Sequence, residues 1–378
     1  MESKNKYLEV VQVFFKLGLI AFGGPAAHIA MMEQEIVEKR KWMSRQHFLD
    51  LVGATNLIPG PNSTEMTMHC GHERAGWRGL FLAGASFILP AVVLTGLLAW
   101  LYVTYGEVPA VEPILYGIKP AVIAIIIGAI LKLGKKALKN WQLGVIGAAV
   151  IAASLFGLNE VLAILGAGVL GLLWFGIIQN PNSGNLKSFA PFLLFSLGNL
   201  SAEGISTTKL FLVFLKIGAV LFGSGYVLVA YLDGELVEKL GWLTRQELLD
   251  AIAIGQFTPG PVLSTATFIG YQVNGVWGAM AATAGIFLPS FFFVLLLNPI
   301  VPKLRNSKLA AGFLDAVNIA AVGIMVAVTF NLCQNILVDW KTALIAILST
   351  IVTFKSKKVS ALWIVIGGAI LGFVLTLL

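Results

Sequence analysis

The stretch Ile58-Pro59-Gly60-Pro61-Asn62-Ser63-Thr64 recurs 200 residues later as Thr258-Pro259-Gly260-Pro261-Val262-Leu263-Ser264. Proline lacks a backbone donor and disrupts a helix. Two prolines around a glycine, inside an apolar run, therefore predict two half-helices that meet at a break. Working outward, residues 10–61 align with 210–261, and 19 of these 52 positions are identical, which makes internal duplication the reading. Phe14, Lys16, Gly18, Phe22 and Gly23 match Phe214, Lys216, Gly218, Phe222 and Gly223. Glu35, Glu38, Lys39, Trp42, Arg45, Gln46 and Asp50 keep their type at 235, 238, 239, 242, 245, 246 and 250. Downstream the offset becomes 199, pairing Pro90 with Pro289 and Lys119-Pro120-Ala121 with Asn318-Ile319-Ala320.

Composition says what solvent the copies meet. Of 378 residues 57% are apolar and 12% charged, and mean hydropathy is +0.86. Soluble domains carry about 25% charged residues. Runs such as 80–101, 122–131 and 361–378 approach or reach the roughly 20 residues that a bilayer-spanning helix needs. The net charge of +7 does not point to nucleic acid, because the Lys and Arg lie in short loops between apolar runs, where they signal membrane topology. Cys70 and Cys333 give neither a disulfide framework nor a metal spacing. Lys4 and Lys6 before an apolar stretch resemble a signal peptide, but residues 10–24 recur at 210–224, so the segment is expected to belong to the fold.

The expected fold is an all-α polytopic membrane protein with copies at 1–178 and 208–378 and a linker at 179–207. A first helix (8–30) leads to a charged loop (33–45) and a segment broken by Pro-Gly-Pro (46–73). Apolar helices follow near 78–102, 110–131, 141–157 and 160–178. The second copy is expected at 208–230, 244–273, 276–298, 309–331, 341–354 and 359–378. The apolar patch 189–197 is too short to span and is expected at the interface. Loop charges set the orientation. The loop 103–109 has no Lys or Arg, whereas 132–139 has Lys132, Lys135, Lys136 and Lys139. In copy two the bias reverses: 299–308 has Lys303, Arg305 and Lys308, whereas 332–341 has only Lys341. The loops 157–160 and 355–358 reverse likewise. Matching loops then lie on opposite membrane sides, the inverted repeat of secondary transporters. Five spans and one re-entrant Pro-Gly-Pro hairpin per copy satisfy this, giving about ten spans with both termini outside.

Broken backbone at membrane depth survives only where protein or a watery cavity covers it. The half-helix after Pro61 is expected to leave the N–H groups of Asn62, Ser63 and Thr64 free, and such an end attracts anions. Copy two presents Val262, Leu263, Ser264 and Thr265, with Gly60 and Gly260 holding the two breaks. Phe22-Gly23-Gly24-Pro25 predicts a second break. Its copy, Phe222-Gly223-Ser224-Gly225, lacks the proline and is expected to break less sharply. No strand precedes these glycines and no Lys-Ser/Thr follows, so as a phosphate loop they are weak evidence. Lys16, Lys216 and Lys119 fall within apolar spans, where a cation costs at least about 2.5 kcal/mol and needs a partner or a function. A bound dianion is one such partner. Snorkelling and a pairing with Glu9 are the plain alternatives. Glu35, Asp50, Glu65, Glu235 and Asp250 are candidates to carry a coupling proton, while Glu38 and Lys39 read as an interfacial loop. His69-Cys70-Gly71-His72, with His28 and His47, makes no ligand set, so no metal or other cofactor is expected, and no nucleophile–base pair suggests an enzyme.

Phe22-Gly23-Gly24-Pro25-Ala26-Ala27-His28-Ile29-Ala30-Met31-Met32 resembles the signature of the chromate ion transporter family. So do the segment 56–64, Ala75-Gly76-Trp77 and Phe87-Ile88-Leu89-Pro90, and the likeness covers nearly the whole chain. It implies export of chromate across the inner membrane, driven by the proton or membrane potential, with duplicated and inverted halves. It also implies a basic residue at Lys16 and the Gly-Pro-(Asn/Thr)-Ser-Thr motif at 60–64. Glu65 departs from the Gln that the family often has, and Gly223-Ser224-Gly225 departs from Gly-Gly-Pro. The expected partners are chromate or a similar oxyanion such as sulfate, protons and the bilayer. A homodimer is left open, and an anion channel is the competing class.

Overall fold

The computed structural model describes residues 2–22, 24–55, 58–106, 112–174, 205–222, 225–297, 308–355 and 359–377. Gly23, Gly223, Ser224, nearly all of the linker with its patch 189–197, and residues 107–111 and 298–307 lie outside them. The described residues are helical, without strands. Copy one contributes α1 (Glu2–Ile20), α2 (Pro25–Met32), α3 (Arg45–Thr55), α4 (Asn62–Tyr105), α5 (Glu112–Ala137), α6 (Trp141–Leu155) and α7 (Glu160–Gly171). Copy two repeats the order as α8 (Thr207–Val220), α9 (Leu228–Leu232), α10 (Arg245–Phe257), α11 (Thr265–Leu297), α12 (Lys308–Ile336), α13 (Trp340–Lys355) and α14 (Ala361–Thr376).

The helix starts follow from local chemistry. Pro25 opens α2, where its missing N–H is no loss. Asn140, Asn159 and Ser206 accept hydrogen bonds from first-turn N–H groups of α6, α7 and α8. Thr244 and Glu247 cap α10 reciprocally. The charged segments expected as loops instead coil into π-helical turns, Glu33–Lys39 and Asp233–Lys239, a form that concentrates at functional sites.

α4 and α11 are each bent back on themselves. Ala75 and Gly76 leave the helical region, with Gly76 at φ +66°, and Asn274 and Gly275 do the same, with Gly275 at φ +56°. Glycine suits those positive φ values. Across the first bend Gly71 touches the Gly79 carbonyl and Ala83; across the second Gly270 touches Gly278 and Ala282. Residues eight apart in a straight helix would be about 12 Å apart. The arm from Asn62 to Arg74 is therefore only about 20 Å long, too short to cross about 30 Å of hydrocarbon alone. By length and composition four helices among the described residues can cross a membrane, those containing 62–105, 112–137, 262–296 and 311–336. Trp141–Leu155, Glu160–Trp174 and Ala361–Thr376 are shorter apolar helices.

The two copies are interwoven. α1 packs on α4 and α8 on α11, each within its own copy. α5 packs mainly on α13 and α14 of the other copy, and α12 correspondingly packs on α6 and α7. Small residues allow these approaches: Gly18 meets the Phe87 carbonyl as Gly218 meets that of Ile286, and Gly117 meets Gly368 and Gly372. The main core draws on both copies.

Candidate functional site at the crossing of the two breaks

The Pro-Gly-Pro breaks meet the first-helix breaks of the opposite copies. Gly60 N–H donates to the Leu221 carbonyl at 2.7 Å, and Gly260 N–H donates to the Ala21 carbonyl at 2.8 Å. Ala21 and Leu221 are equivalent positions, so the pair of bonds is reciprocal. It satisfies backbone groups that have no helical partner, which buried broken backbone requires. It also accounts for the break in copy two without a proline: α8 ends at Val220 and Leu221 turns to ψ 86°, leaving its carbonyl for Gly60.

The linings of the two breaks differ. Gly60 sits at φ +139° and Gly260 at φ +90°, backbone that disfavours a side chain. A Cβ on Gly60 would strike the Glu65 carboxyl and the Ser290 hydroxyl, whereas one on Gly260 would first meet Ala91, at 3.1 Å. Ser290 and Ala91 are equivalent, each following the proline inside its helix. Glu65 and Ser290 are fully buried, and both Glu65 oxygens and Ser290 Oγ have no hydrogen-bond partner among the described residues. Ser63 Oγ lies 3.2 Å from His28 Nδ1, whose Nε2 lies 3.0 Å from the Ala21 carbonyl. That carbonyl can only accept, so Nε2 carries the proton. At the other break Ser264 Oγ accepts from Thr95 at 3.2 Å and lies 3.3 Å from Thr258 Oγ1.

The half-helix ends are less open than their sequence predicts. Thr64 N–H is not free, since it donates to the Pro61 carbonyl at 2.8 Å in a tightened first turn, and Ser264 N–H donates likewise to Pro261 at 3.0 Å. Thr265 Oγ1 is turned to the Val262 carbonyl. Gly24 lies just ahead of α2 at φ +83°.

The candidate cations are not gathered at one point. Lys119 on α5 donates to Gln246 Oε1 at 2.8 Å and pairs with Asp250 Oδ1 at 3.3 Å, both on α10 of the other copy. Tyr102 on α4 donates to Asp250 Oδ2 at 2.8 Å. Lys216 pairs with Glu235 at 2.7 Å, and Lys239 joins the same carboxylate at 3.0 Å. In copy one Glu35 is held by Lys39 and Arg40, both at 3.1 Å, and Lys16 stays exposed on α1. Burial pushes the Glu35 and Glu235 carboxyls up, but their cations prevail and hold both below the ordinary range. Asp50 accepts from Gln46 at 3.2 Å on α3, and Asn318 is half-buried on α12. The Tyr102–Asp250–Lys119 chain, Ser290 and the reciprocal glycine bonds escaped the sequence reading. Only the 199-residue offset, which equates Ser290 with Ala91, carried any hint of them.

Two interwoven copies of one helical unit, each broken where it meets the other, define a multi-pass membrane transporter of the repeat class. Residues 8–172 and 208–373 each match the family described as Chromate transporter. The chain is 32% identical to the chromate transport protein of Cupriavidus metallidurans, covering 97% of this chain and 92% of that one. It is 33% identical to a probable chromate transport protein of Synechococcus elongatus, with 97% and 95% covered, and 33% identical to the chromate transport protein of Pseudomonas aeruginosa, with 87% and 81% covered. No solved structure gives a significant match. The chain belongs to the chromate transporter family.

Proposed function

We propose that this chain exports chromate across the cytoplasmic membrane by alternating access, with the oxyanion held where the two breaks cross. The reciprocal bonding of Gly60 to Leu221 and of Gly260 to Ala21 carries this reading. It brings two helix breaks, with their N-terminal dipoles, to one place between the copies. Each helix end contributes roughly +0.5 charge, which leaves a dianion about one charge short. Lys119 supplies it by leaving Asp250, which lies seven residues (roughly 10 Å) before the end of α10, and moving toward the crossing, and that release loosens the tie between α5 and α10. The repeats are inverted across the membrane, as the loop charges require, and the arms around Pro-Gly-Pro form re-entrant hairpins. Export has a ready driving force, because an inside-negative potential favours outward movement of a dianion by roughly 4.6 kcal/mol per 100 mV.

Everted vesicles test this. Labelled chromate should accumulate when a membrane potential or pH gradient is imposed and should leak away when it is collapsed. Equilibration without accumulation would make the protein a channel. Stronger accumulation of sulfate than of chromate would make sulfate the substrate of the same site.

A further inference from the structure

We propose that Glu65 is a proton-binding group of the oxyanion site, neutral in this conformation, whose proton must be in place before a dianion can lie against the Pro59-Gly60-Pro61 break. The carboxyl belongs to the first turn and a half of α4, yet it folds back to the start of its own half-helix and lies against Gly60. It is fully buried there with no cation paired to it among the described residues, and the Ser290 hydroxyl faces the same point in front of the glycine.

The charged and titratable groups on the elements around α4 are engaged elsewhere or exposed. On α1, Glu9 pairs with Arg40 and Arg74, and Lys16 is exposed. On α2, His28 bonds Ser63 and the Ala21 carbonyl. On α3, Arg45 pairs with Glu33, His47 with Glu73, and Asp50 with Gln46. On α10, Arg245 pairs with Asp233 and Glu238, Glu247 caps its helix and accepts from Gln272, and Asp250 pairs with Lys119. α11 carries no charged residue, and α4 itself adds His69 a turn beyond Glu65.

An ionised carboxylate with no cation, and with the Ser290 hydroxyl its nearest donor, is strongly disfavoured in so dry a place. A proton removes the conflict. The position adds a second consequence. The start of a half-helix draws negative charge, so an ionised Glu65 would itself occupy the field meant for the substrate and repel a dianion. Protonation empties that field. Proton and oxyanion therefore favour one another's binding, and by linkage the effect is reciprocal. Only one break is so equipped, because Gly260 faces Ala91 and no carboxylate, which gives one proton per bound dianion.

This rests on the oxyanion reading above, and the test separates the two. Chromate affinity of the purified full chain is measured across a pH series for wild type and Glu65→Gln, whose amide imitates the protonated acid. Taking the ratio of the two removes the pH chemistry of chromate itself. Wild-type affinity should weaken by about tenfold per pH unit once the empty site loses its proton, while Glu65→Gln should hold the low-pH affinity throughout. Infrared spectra without substrate should show a protonated carboxyl band at neutral pH that Glu65→Gln lacks. Carbodiimide labelling of the wild type, mapped by mass spectrometry, should mark Glu65, which keeps the test open if the variant folds poorly. A Gln variant that keeps the wild-type pH dependence, an absent band, or protection of Glu65 by sodium ions at constant pH would each overturn the proposal. A band and label at Glu65 with no chromate affinity in either protein would uphold the proton site and overturn chromate as the substrate.

Discussion

The two breaks share a backbone and differ in chemistry. Each Pro-Gly-Pro glycine donates to the equivalent carbonyl of the other copy, and each faces the residue after an intrahelical proline. Around Gly60 those neighbours are Glu65 and Ser290; around Gly260 the neighbour is Ala91, with Ser264 tied to Thr95 and Thr258. Duplication preserved what the fold needs, namely the break and its hydrogen bond. The side chains that line the breaks differ, with Ser290 at one and Ala91 at the other, and His28 in copy one where copy two has Leu228. The division suggests a division of labour, with the first break titratable and switchable and the second a non-titrating counterpart that moves against it.

The broadest way to break the comparison is topology, because its outcome is all or none. In a background with Cys70 and Cys333 replaced by Ala, Lys135→Cys should react only with a reagent supplied to the cytoplasmic side. Gln334→Cys should react only from outside. Labelling of both from one side would leave two copies in the same orientation and end the inverted-repeat reading. The next largest effect concerns the glycines. Gly60→Val and Gly260→Val should each reduce chromate transport by two orders of magnitude or more, since β-branched residues resist positive φ. Gly60→Ala and Gly260→Ala sharpen the contrast. Gly60→Ala should alter the pH dependence of transport by displacing Glu65, and Gly260→Ala should lower the rate without moving that dependence.

Much of this architecture was legible in the sequence. The repeat, the breaks at residues 22–25 and 59–61 and the start of α4 at Asn62 all follow from Pro and Gly, whose effects are local and strong. What proline cannot show is where freed backbone groups go. The expectation of a softer second break rested on the missing proline at Gly225, but the Leu221 carbonyl is held open by Gly60, 161 residues away in sequence. The bends at Gly76 and Gly275 were visible only as glycines in matched positions. The exchange of α6 and α7 against α13 and α14 was not visible at all, since apolar helices of similar length carry no partner code. Lys119 stood out by its cost in an apolar span, while Asp250, read as a separate candidate, is its partner because the copies interweave.

That pair gives the third test, with a moderate effect of opposite sign on each side. Lys119→Gln should weaken chromate binding by about tenfold, the order expected for one charged hydrogen bond. Asp250→Asn should tighten binding severalfold by releasing Lys119, yet slow transport because the substrate no longer has a competitor to displace it. If both variants lose thermal stability and neither shifts affinity, the Lys119–Asp250–Tyr102 chain is a structural tie between the copies and the anion is held elsewhere.

The smallest expected effect falls on the pair of equivalent lysines in the first helices, and it is the most direct test of how the copies diverged. Lys216 and Lys239 share the buried Glu235, at 2.7 and 3.0 Å. In copy one the corresponding Glu35 already has Lys39 and Arg40, because position 40 is arginine where position 240 is leucine. Lys216→Gln therefore leaves a buried carboxylate short of one cation and should lower the unfolding midpoint in detergent measurably, by roughly 1–2 kcal/mol of stability. Lys16→Gln removes an exposed cation that Glu35 does not use, and its effect on stability should stay within about 0.5 kcal/mol. The decisive variant combines Lys216→Gln with Leu240→Arg, which rebuilds the copy-one arrangement around Glu235. It should recover most of the lost stability, since an arginine one residue beyond Lys239 reaches Glu35 in copy one from the matching π-helical turn. Failure to recover, with Leu240→Arg alone tolerated, would mean that the two turns are alike in backbone but not interchangeable in charge. Loss of chromate affinity in Lys16→Gln at unchanged stability would instead place that exposed lysine on the substrate's path.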